Sequence, residues 1–280
     1  MYLWRKAVAP HWLSARESIL QTRSHGRLAI ISRPGRKRLQ LEIACTSHND
    51  SQKLVEEFGG HAEKLQRDWL KRFRDGEKSK PLKIGKRLII SRKGDSQIVP
   101  AVGKPPLLVI PASAAFGTGE HATTSMSLRL LEQLTREWKN GWSLADLGTG
   151  SGILALAARR FGARRVLAID ADPLAISIAK TNARRNGIGG IDFQLGDLRH
   201  WKPPRDIEVV TANLFCELLI SILPKFKRSG WLILSGLLRT QENELLRVLR
   251  RNNIGIVKVR RRGKWIAVSA KSCACVPLAN

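Results

Sequence analysis

The chain has 280 residues, of which 43% are hydrophobic, and its 49 Lys and Arg against 23 Asp and Glu give a formal net charge of +26. This length suffices for one large domain and a smaller one, and no apolar run reaches the roughly 18 residues that a membrane helix needs. The start lacks the apolar core of a signal peptide. The four cysteines show no paired Cys-x-x-Cys spacing, which argues against a zinc site or a disulfide framework. We therefore expect a cytoplasmic protein with reduced thiols and no metal.

The basic residues are spread along the chain rather than gathered on one predicted helix. A protein this basic attracts polyanions through phosphate contacts and counterion release. No known nucleic-acid module is recognisable in the sequence. Two interpretations stay open: a charge that serves solubility or is common to the host's proteins, and work close to RNA or directly on it.

The first 65 residues predict a small α+β domain. Its predicted elements are a strand, a helix and a hairpin around Pro34-Gly35, over Leu3–Val8, Ser14–Thr22, and Leu28–Ser32 with Leu39–Ala44. Asn49-Asp50-Ser51 is placed to cap a further helix over Gln52–Phe58. The order β-α-β-β-α is compatible with a ferredoxin-like domain.

A glycine-rich turn, Gly148–Gly152, is the most informative segment. A short apolar strand, Leu144–Leu147, leads into it, and an alanine-rich helix, Ile153–Phe161, follows. Glycines let a turn pass close beneath a ligand, and the first N–H groups of the helix face whatever lies above it. Ile153 stands where the dinucleotide fingerprint has its third glycine, and Asp146 precedes the turn by two residues. This combination favours S-adenosylmethionine (SAM) over NAD, although such turns also simply connect a strand to a helix.

Acidic residues follow the next two predicted strands. The strand 165–170 ends in Asp170, at the distance from the glycine turn where a βαβ unit places the acid that accepts both ribose hydroxyls of a nucleoside. The alternative is a helix cap, but Asp172, directly before Pro173, suits that role better. A third strand, 191–195, leads to Asp197, for which the sequence leaves open whether it contacts the adenine side of a cofactor.

The fourth predicted strand, within Ile207–Leu214, delivers Asn213 to the carboxyl edge of the sheet, where open α/β sheets bind ligands. Its side-chain carbonyl can hold an incoming amine and its amide group can hold the cofactor, or the side chain can satisfy the loop backbone. The remaining predicted elements are a helix, a strand, a helix and a closing hairpin, over Leu218–Leu223, Gly230–Ser235, Gln241–Arg251, and Ile254–Arg260 with Lys264–Ala270. A seven-stranded sheet that ends in an antiparallel hairpin is typical of methyltransferases, whereas dehydrogenase sheets usually end parallel.

The segment Ala115–Thr124 resembles a signature of the ribosomal protein L11 methyltransferase (PrmA) family. The resemblance covers about residues 69–270 and continues through Asp146–Ala158, Ile169–Pro173, Asn182–Gly187, Ala212–Leu214 and Leu234–Gly236. It implies an α/β, Rossmann-like methyltransferase domain of seven strands with a smaller N-terminal ferredoxin-like domain. It also implies transfer of methyl groups from SAM to lysine side chains or the N-terminus of ribosomal protein L11. Ala122 departs from the family, in which many members have proline there.

The resemblance and the predicted strand ends together suggest a cofactor site. Its candidate residues are Phe116, Thr124, Gly148, Gly150, Asp170, Asp197 and Asn213. Phe116 is expected in the loop that folds over the methionine end of SAM. Asn213 is the candidate catalytic residue, which orients the amine, whereas His121 is expected to structure its loop.

We expect residues 1–65 to recognise the substrate, residues 66–112 to connect the domains, and residues 113–280 to form the methyltransferase domain. The expected partner is ribosomal protein L11, with a charge that suits proximity to ribosomal RNA, no membrane, and a monomeric state. Two alternatives stay open: a ribosomal RNA methyltransferase, and a ribosome assembly factor that keeps the fold without catalysis.

Overall fold

The structure is a computed structural model, and it describes residues 2–24, 28–31, 38–45, 47–64, 81–92, 105–111, 117, 119, 121–204, 206–227 and 229–272. The chain divides into two units, Met1–Lys78 and Ser79–Asn280. No helix among these described residues is long and apolar enough to cross a membrane. Among the residues named above, Pro34, Gly35 and Phe116 lie outside the described residues.

Unit 1 contains a four-stranded antiparallel sheet in the order β2-β3-β1-β4. In chain order its elements are β1 (Tyr2–Val8), α1 (Pro10–Ser14), α2 (Glu17–Ser24), β2 (Leu28–Ile31), β3 (Leu39–Cys45), α3 (His48–Phe58) and β4 (His61–Lys64). The core lies around the fully buried Trp4, whose indole N–H donates to the carbonyl of Gly59 at 2.8 Å. Because α1 and α2 lie between β1 and β2, and α3 lies between β3 and β4, the order of elements is β-α-β-β-α-β, as in ferredoxin-like domains.

Two details of unit 1 differ from the sequence predictions. The helix α3 begins at His48, because the hydroxyl of Ser47 accepts the backbone N–H of Asp50 at 3.0 Å and so caps the helix. The prediction that Asn49-Asp50-Ser51 caps this helix was therefore wrong by about one turn. The strand β4 was not predicted, since its sequence His-Ala-Glu-Lys lacks an apolar alternation, and it forms by pairing with β1.

Unit 2 contains a seven-stranded sheet in the order β10-β9-β8-β11-β12-β14-β13 and a three-stranded sheet, β5-β6-β7. Its strands are β5 (Leu82–Ile84), β6 (Leu88–Ser91), β7 (Leu107–Val109), β8 (Ser143–Leu147), β9 (Arg165–Asp170), β10 (Ile191–Leu195), β11 (Val209–Asn213), β12 (Trp231–Leu238), β13 (Ile254–Arg262) and β14 (Trp265–Ser272). Its α-helices are α4 (Ala122–Leu134), α5 (Ile153–Arg160), α6 (Pro173–Arg185), α7 (Cys216–Ile222) and α8 (Glu242–Arg251). In this spatial order, the strands from β10 through β9, β8 and β11 to β12 pair in parallel. The strands β14 and β13 then add antiparallel. The predicted α/β fold with its closing hairpin is confirmed.

Apolar clusters cover both faces of the large sheet. One joins α4 and α5 to residues such as Leu144 on β8, and the other joins α7 and α8 to residues such as Val210 on β11. Central parallel strands that are covered on both sides are apolar throughout, and β8 is buried at every position. This burial makes β8 and β11 a rigid base for whatever follows their carboxyl ends.

Those two strands also mark the point where the strand order reverses. From β8 the chain continues outward to β9 and β10, whereas β11 and β12 lie on the other side of β8. Ligands of open α/β sheets bind outside the carboxyl ends of the strands at such a reversal. The candidate site is therefore expected above Leu147 and Asn213.

Leu214, just beyond β11, is packed between two glycines. Its N–H donates to the carbonyl of Ser235 at 3.0 Å. The next residue is Gly236, at which the pairing of β12 with β14 shifts its register. A Cβ on Gly236, which has φ +95°, would lie 2.2 Å from the Leu214 carbonyl oxygen, and one on Gly148, with φ +69°, would lie 2.4 Å from Leu214 Cδ2. Only glycine fits at either position.

The three-stranded sheet is attached to the ends of two helices by Arg87. Its guanidinium donates to the carbonyl of Thr135 at 2.9 Å and to that of Phe161 at 2.7 Å, and it lies 4.7 Å from the centroid of the Phe161 ring. These carbonyls belong to the residues that end α4 and α5, so the cation also faces the negative ends of two helix dipoles.

We predict that Arg87→Lys lowers the free energy of unfolding by about 1–3 kcal/mol, because an ammonium group cannot reproduce two hydrogen bonds from one planar fork. Urea denaturation followed by circular dichroism measures the change. The adjacent exposed Lys86 is the control, and Lys86→Gln should alter stability by less than about 0.5 kcal/mol. Equal stability of the Arg87→Lys variant and the parent would contradict the role given to this residue.

Candidate functional site

A buried carboxylate fixes the glycine turn to the neighbouring strand. Asp146 is 1% exposed, and its two carboxylate oxygens accept the hydroxyls of Thr149, in the turn, and of Thr211, on β11, each at 2.7 Å. Burial raises the pKa of this carboxyl to about 6, although both hydroxyls act against the rise. Asp146 thus sets the position of the turn relative to the strand that ends in Asn213.

Asp170 lies where the second strand was predicted to place it, at the carboxyl end of β9. One carboxylate oxygen accepts the N–H of Gly150 at 2.8 Å and the other accepts the N–H of Asp172 at 3.0 Å. Asp172, and not Asp170, caps α6 by accepting the N–H of Leu174 at 2.8 Å. Because each oxygen of a carboxylate has two lone pairs, Asp170 keeps acceptor capacity for hydroxyl groups.

Asn213 and Thr124 meet at the end of β11. The amide nitrogen of Asn213 donates to the hydroxyl of Thr124, which is 1% exposed, at 3.3 Å. The other end of the same side chain, the carbonyl oxygen Oδ1, is buried and has no hydrogen-bond partner within the described part of the chain. A buried acceptor without a partner costs about 1–3 kcal/mol, so this atom is suited to receive a donor from outside the chain.

The loop that precedes α4 is tied to the glycine turn through backbone groups. The hydroxyl of Ser151 donates to the carbonyl of Gly117, and the carbonyl of Ser151 accepts the amide N–H of Asn182 at 2.9 Å. One helical turn further on, the amide of Asn186 accepts the N–H of Val109 at 2.7 Å and donates to its carbonyl at 2.9 Å. These contacts connect the loop, the turn, α6 and β7.

His121 lies directly before α4. Its Nδ1 is 2.7 Å from the hydroxyl of Thr123, and its ring packs edge-on against that of Trp265 at 4.9 Å between centroids. Burial, assisted by the charge of Lys264, lowers the pKa of His121, so the imidazole is neutral at pH 7. These contacts fit the expected structural role of the residue in its loop.

Asp197 lies two residues beyond β10. Its carboxylate accepts the N–H of Arg199 at 2.9 Å and lies 3.7 Å from the guanidinium of Arg199 and 3.4 Å from Nδ1 of the His200 ring. The hydrogen bond from Arg199 is the main cause of the lowered pKa of Asp197. A contact with adenine stays a prediction for this residue.

The structure therefore brings Thr124, the turn with Gly148 and Gly150, Asp170 and Asn213 to one edge of the sheet. Phe116 is outside the described residues. The sequence reasoning named Asp146 as part of the turn motif but missed its role as a bridge. It also missed the other supporting side chains, which are Thr149, Ser151, Asn182, Asn186 and Thr211. The segment Asn182–Gly187 could have indicated two of these residues, because its two asparagines lie four residues apart and so on one face of α6.

This arrangement fits a nucleoside-containing cofactor. The glycine turn presents backbone rather than side chains, Asp170 offers acceptor capacity at the end of the second strand, and the amide of Asn213 offers an unpaired acceptor beside the turn. The strand order, the turn and these polar groups define a Rossmann-like domain of the class I SAM-dependent methyltransferase type.

Comparisons with known proteins identify the family within this class. The family described as ribosomal protein L11 methyltransferase (PrmA) matches residues 25–272. A ribosomal protein L11 methyltransferase of Symbiobacterium thermophilum is 34% identical over 195 residues, 68% of this chain and 62% of that protein. One of Caldicellulosiruptor bescii is 32% identical over 210 residues, 74% of this chain and 66% of that protein.

A solved structure supports the same assignment. The ribosomal protein L11 methylase of Lactobacillus delbrueckii subsp. bulgaricus superposes with a TM-score of 0.60 at 28% identity, and the match covers 69% of this chain and 98% of that one. The chain belongs to the ribosomal protein L11 methyltransferase family. Its match spans slightly less than two thirds of the length of the curated relatives named above.

We predict that Asp146→Asn removes one contribution to the pH dependence of stability between about pH 4 and 6. Because the folded-state pKa of Asp146 is raised to about 6, the folded protein holds a proton there that the unfolded chain has lost. The contribution of this group therefore makes the parent less stable as pH rises through that window, by up to about 3 kcal/mol. Asparagine does not titrate, so the difference in unfolding free energy between variant and parent should shift with pH; a constant difference would contradict the prediction.

Proposed function

We propose that this protein transfers methyl groups from SAM to amino groups of ribosomal protein L11. The observation that carries the proposal is the buried, unpartnered Oδ1 of Asn213, at the strand-order reversal and beside the glycine turn. A buried acceptor at this place suits an incoming N–H donor. Membership of the L11 methyltransferase family supports both the reaction and the substrate.

The residues that would hold SAM are those at the carboxyl edge of the sheet. Asp170 would accept the ribose hydroxyls, the backbone of Gly148 and Gly150 would lie beneath the cofactor, and Thr124 would contact it with its hydroxyl. Asp197 and Phe116 are proposed for the adenine side and for the covering loop. When bound, SAM supplies a methyl group on a cationic sulfur, which is a strong electrophile.

The contribution of Asn213 is to position the amine. An N–H of the incoming amine would donate to Oδ1, which leaves the nitrogen lone pair free to face the methyl group. The bond from the amide nitrogen of Asn213 to Thr124 holds the amide plane in one orientation. Alignment of this kind lowers a barrier through proximity and requires little acid–base chemistry.

A lysine substrate must lose its proton before it can react. Removal from water disfavours the ammonium form, so a closed pocket lowers the pKa of the target amine. Asn213 has no charge to oppose this effect, whereas a carboxylate in its place would favour the ammonium form. We therefore propose that the ammonium group gives its proton to bulk water as the substrate is desolvated, and we assign no described residue as its base.

Unit 1 is proposed to recognise the substrate protein, since the proposed cofactor residues all lie in unit 2. Energy from binding remote parts of a macromolecular substrate can be used to position the reacting group. A ribosomal protein as substrate places the enzyme in the cytoplasm.

The function is tested by incubating the purified protein with methyl-labelled SAM and purified ribosomal protein L11, with protein-free ribosomal RNA in a parallel reaction. We expect label in the protein and none in the RNA. Label in RNA alone would replace the proposed function by RNA methylation, and binding of SAM without any transfer would support a non-catalytic role.

Within this assay, Asn213→Ala should lower kcat by roughly a hundredfold or more, the scale on which one positioned polar group acts on a reacting centre. Thr124→Val keeps the shape and removes the hydroxyl, so we expect a several-fold higher KM for SAM with a smaller change in kcat. Initial rates at varied SAM concentrations separate the two effects. A parental kcat in Asn213→Ala would exclude its positioning role.

We predict that Asp170→Ala weakens SAM binding by about 1.5–3 kcal/mol, since it removes a charged acceptor from a partly desolvated site. Isothermal titration calorimetry gives the Kd directly. Asp172→Ala is the matched control, because it removes the same charge two residues away and affects only the helix cap. Equal losses in both variants would mean that Asp170 does not bind the cofactor.

A further inference from the structure

The edge of the large sheet opposite the candidate site is strongly basic. The helices α4, α5 and α6 end there, and the loops that lead into β8, β9 and β10 run between them. We define the basic face as the exposed cations of this edge, which are Lys86, Arg136, Lys139, Arg160, Arg164, Arg165, Arg184 and Arg185.

Hydrogen bonds join these elements into one surface. The guanidinium of Arg160 donates to the carbonyl of Asn186, so the ends of α5 and α6 are adjacent. Arg159 donates to the carbonyls of Ala163 and Arg164, which brings the loop before β9 against α5. Through Arg87, the turn that carries Lys86 reaches the ends of both α4 and α5.

Acidic groups neutralise only part of this face. Arg165 pairs with Asp206, and Arg136 pairs with the buried Glu132. The exposed Glu208 is engaged by the N–H and hydroxyl of Ser143. Within the described residues, the members of the face without an acidic partner are Lys86, Lys139, Arg160, Arg164, Arg184 and Arg185, and the other exposed acids nearby are Glu137 and Asp192.

Helix dipoles account for some of these cations but not for all of them. Arg160, Arg184 and Arg185 lie in the last turns of α5 and α6, where a positive charge stabilises the helix end. Lys86, in a turn between strands, and Lys139 and Arg164, in loops, lie outside any helix. The helix dipoles therefore do not account for these three cations.

A recess lies within the basic face. It has a volume of about 380 Å³ and is lined by Asn140, Gly141, Arg159, Gly162, Ala163 and Arg164. The guanidinium of Arg164 and the amide of Asn140 supply donors around it, whereas Nε and Nη1 of Arg159 donate to backbone carbonyls of the chain itself. A phosphate group matches both its charge and its donors.

We propose that the basic face binds the phosphate backbone of RNA. Six of its eight cations are arginines, whose planar guanidinium groups bind phosphate through two parallel hydrogen bonds. The cations extend over the ends of several elements, which suits a polymer with regularly repeated charges better than a single acidic side chain. This surface lies at the opposite edge from the proposed site of methyl transfer, and its assignment does not depend on which group is methylated.

The test uses the triple variant Lys86→Gln, Lys139→Gln and Arg164→Gln in the full-length protein. The matched control is Arg38→Gln, Lys53→Gln and Lys64→Gln, which removes the same charge from exposed positions of unit 1. Binding of a fluorescein-labelled RNA hairpin is measured by anisotropy over a series of salt concentrations. Equal unfolding midpoints in urea for all three proteins establish that both variants are folded.

We expect the first variant to bind the hairpin at least tenfold more weakly than the parent. The slope of log K against log salt should fall by about 2–3, because roughly one slope unit accompanies each phosphate contact. The control should retain most of the affinity. Equal losses in the two triple variants would assign binding to net charge and overturn the proposal, as would absence of binding by the parent. Displacement of RNA by equimolar polyglutamate would overturn it in favour of an acidic polypeptide.

Discussion

The bridge made by the buried Asp146 carboxylate is the interaction on which the site depends. Thr149 and Thr211 donate to it from the glycine turn and from β11, so one side chain joins the cofactor half of the sheet to the half that ends in Asn213. The cost is visible in the raised pKa of the carboxyl. The two hydroxyl bonds fix the turn against β11 in addition to the backbone pairing of β8 with β11.

Further support comes from side chains that bond to backbone groups. Ser151 holds Gly117, Asn182 holds Ser151, and Asn186 holds both polar groups of Val109. Each of these bonds restrains a segment that has few regular backbone partners of its own. Gly117, which precedes α4, is therefore held by the same turn that is proposed to lie beneath the cofactor.

Much of the large domain could be predicted from the sequence because its central strands are apolar runs followed by polar residues at their carboxyl ends. Asp170 and Asn213 were found in this way, and both lie at the edge that the pattern indicated. The polar strand β4 escaped prediction because only its pairing with β1 makes it a strand. The predicted start of α3 was about one turn too late, because the cap formed by Ser47 depends on the extended backbone of Ser47. Supporting residues such as Thr211 were missed since their partners are distant in sequence.

Gly236 illustrates how the position of one residue is determined by a neighbour that has no side chain. The carbonyl of Leu214 occupies the volume that a methyl group on Gly236 would need, and Gly148 leaves room for the Leu214 side chain in the same manner. Because neither glycine has a side chain, Leu214 can occupy the space beside both, and this fixes the position of the adjacent Asn213. Replacement of either glycine by alanine would displace Leu214 and the adjacent amide without altering a polar side chain, so steric volume at Gly148 and Gly236 governs how this site tolerates mutation.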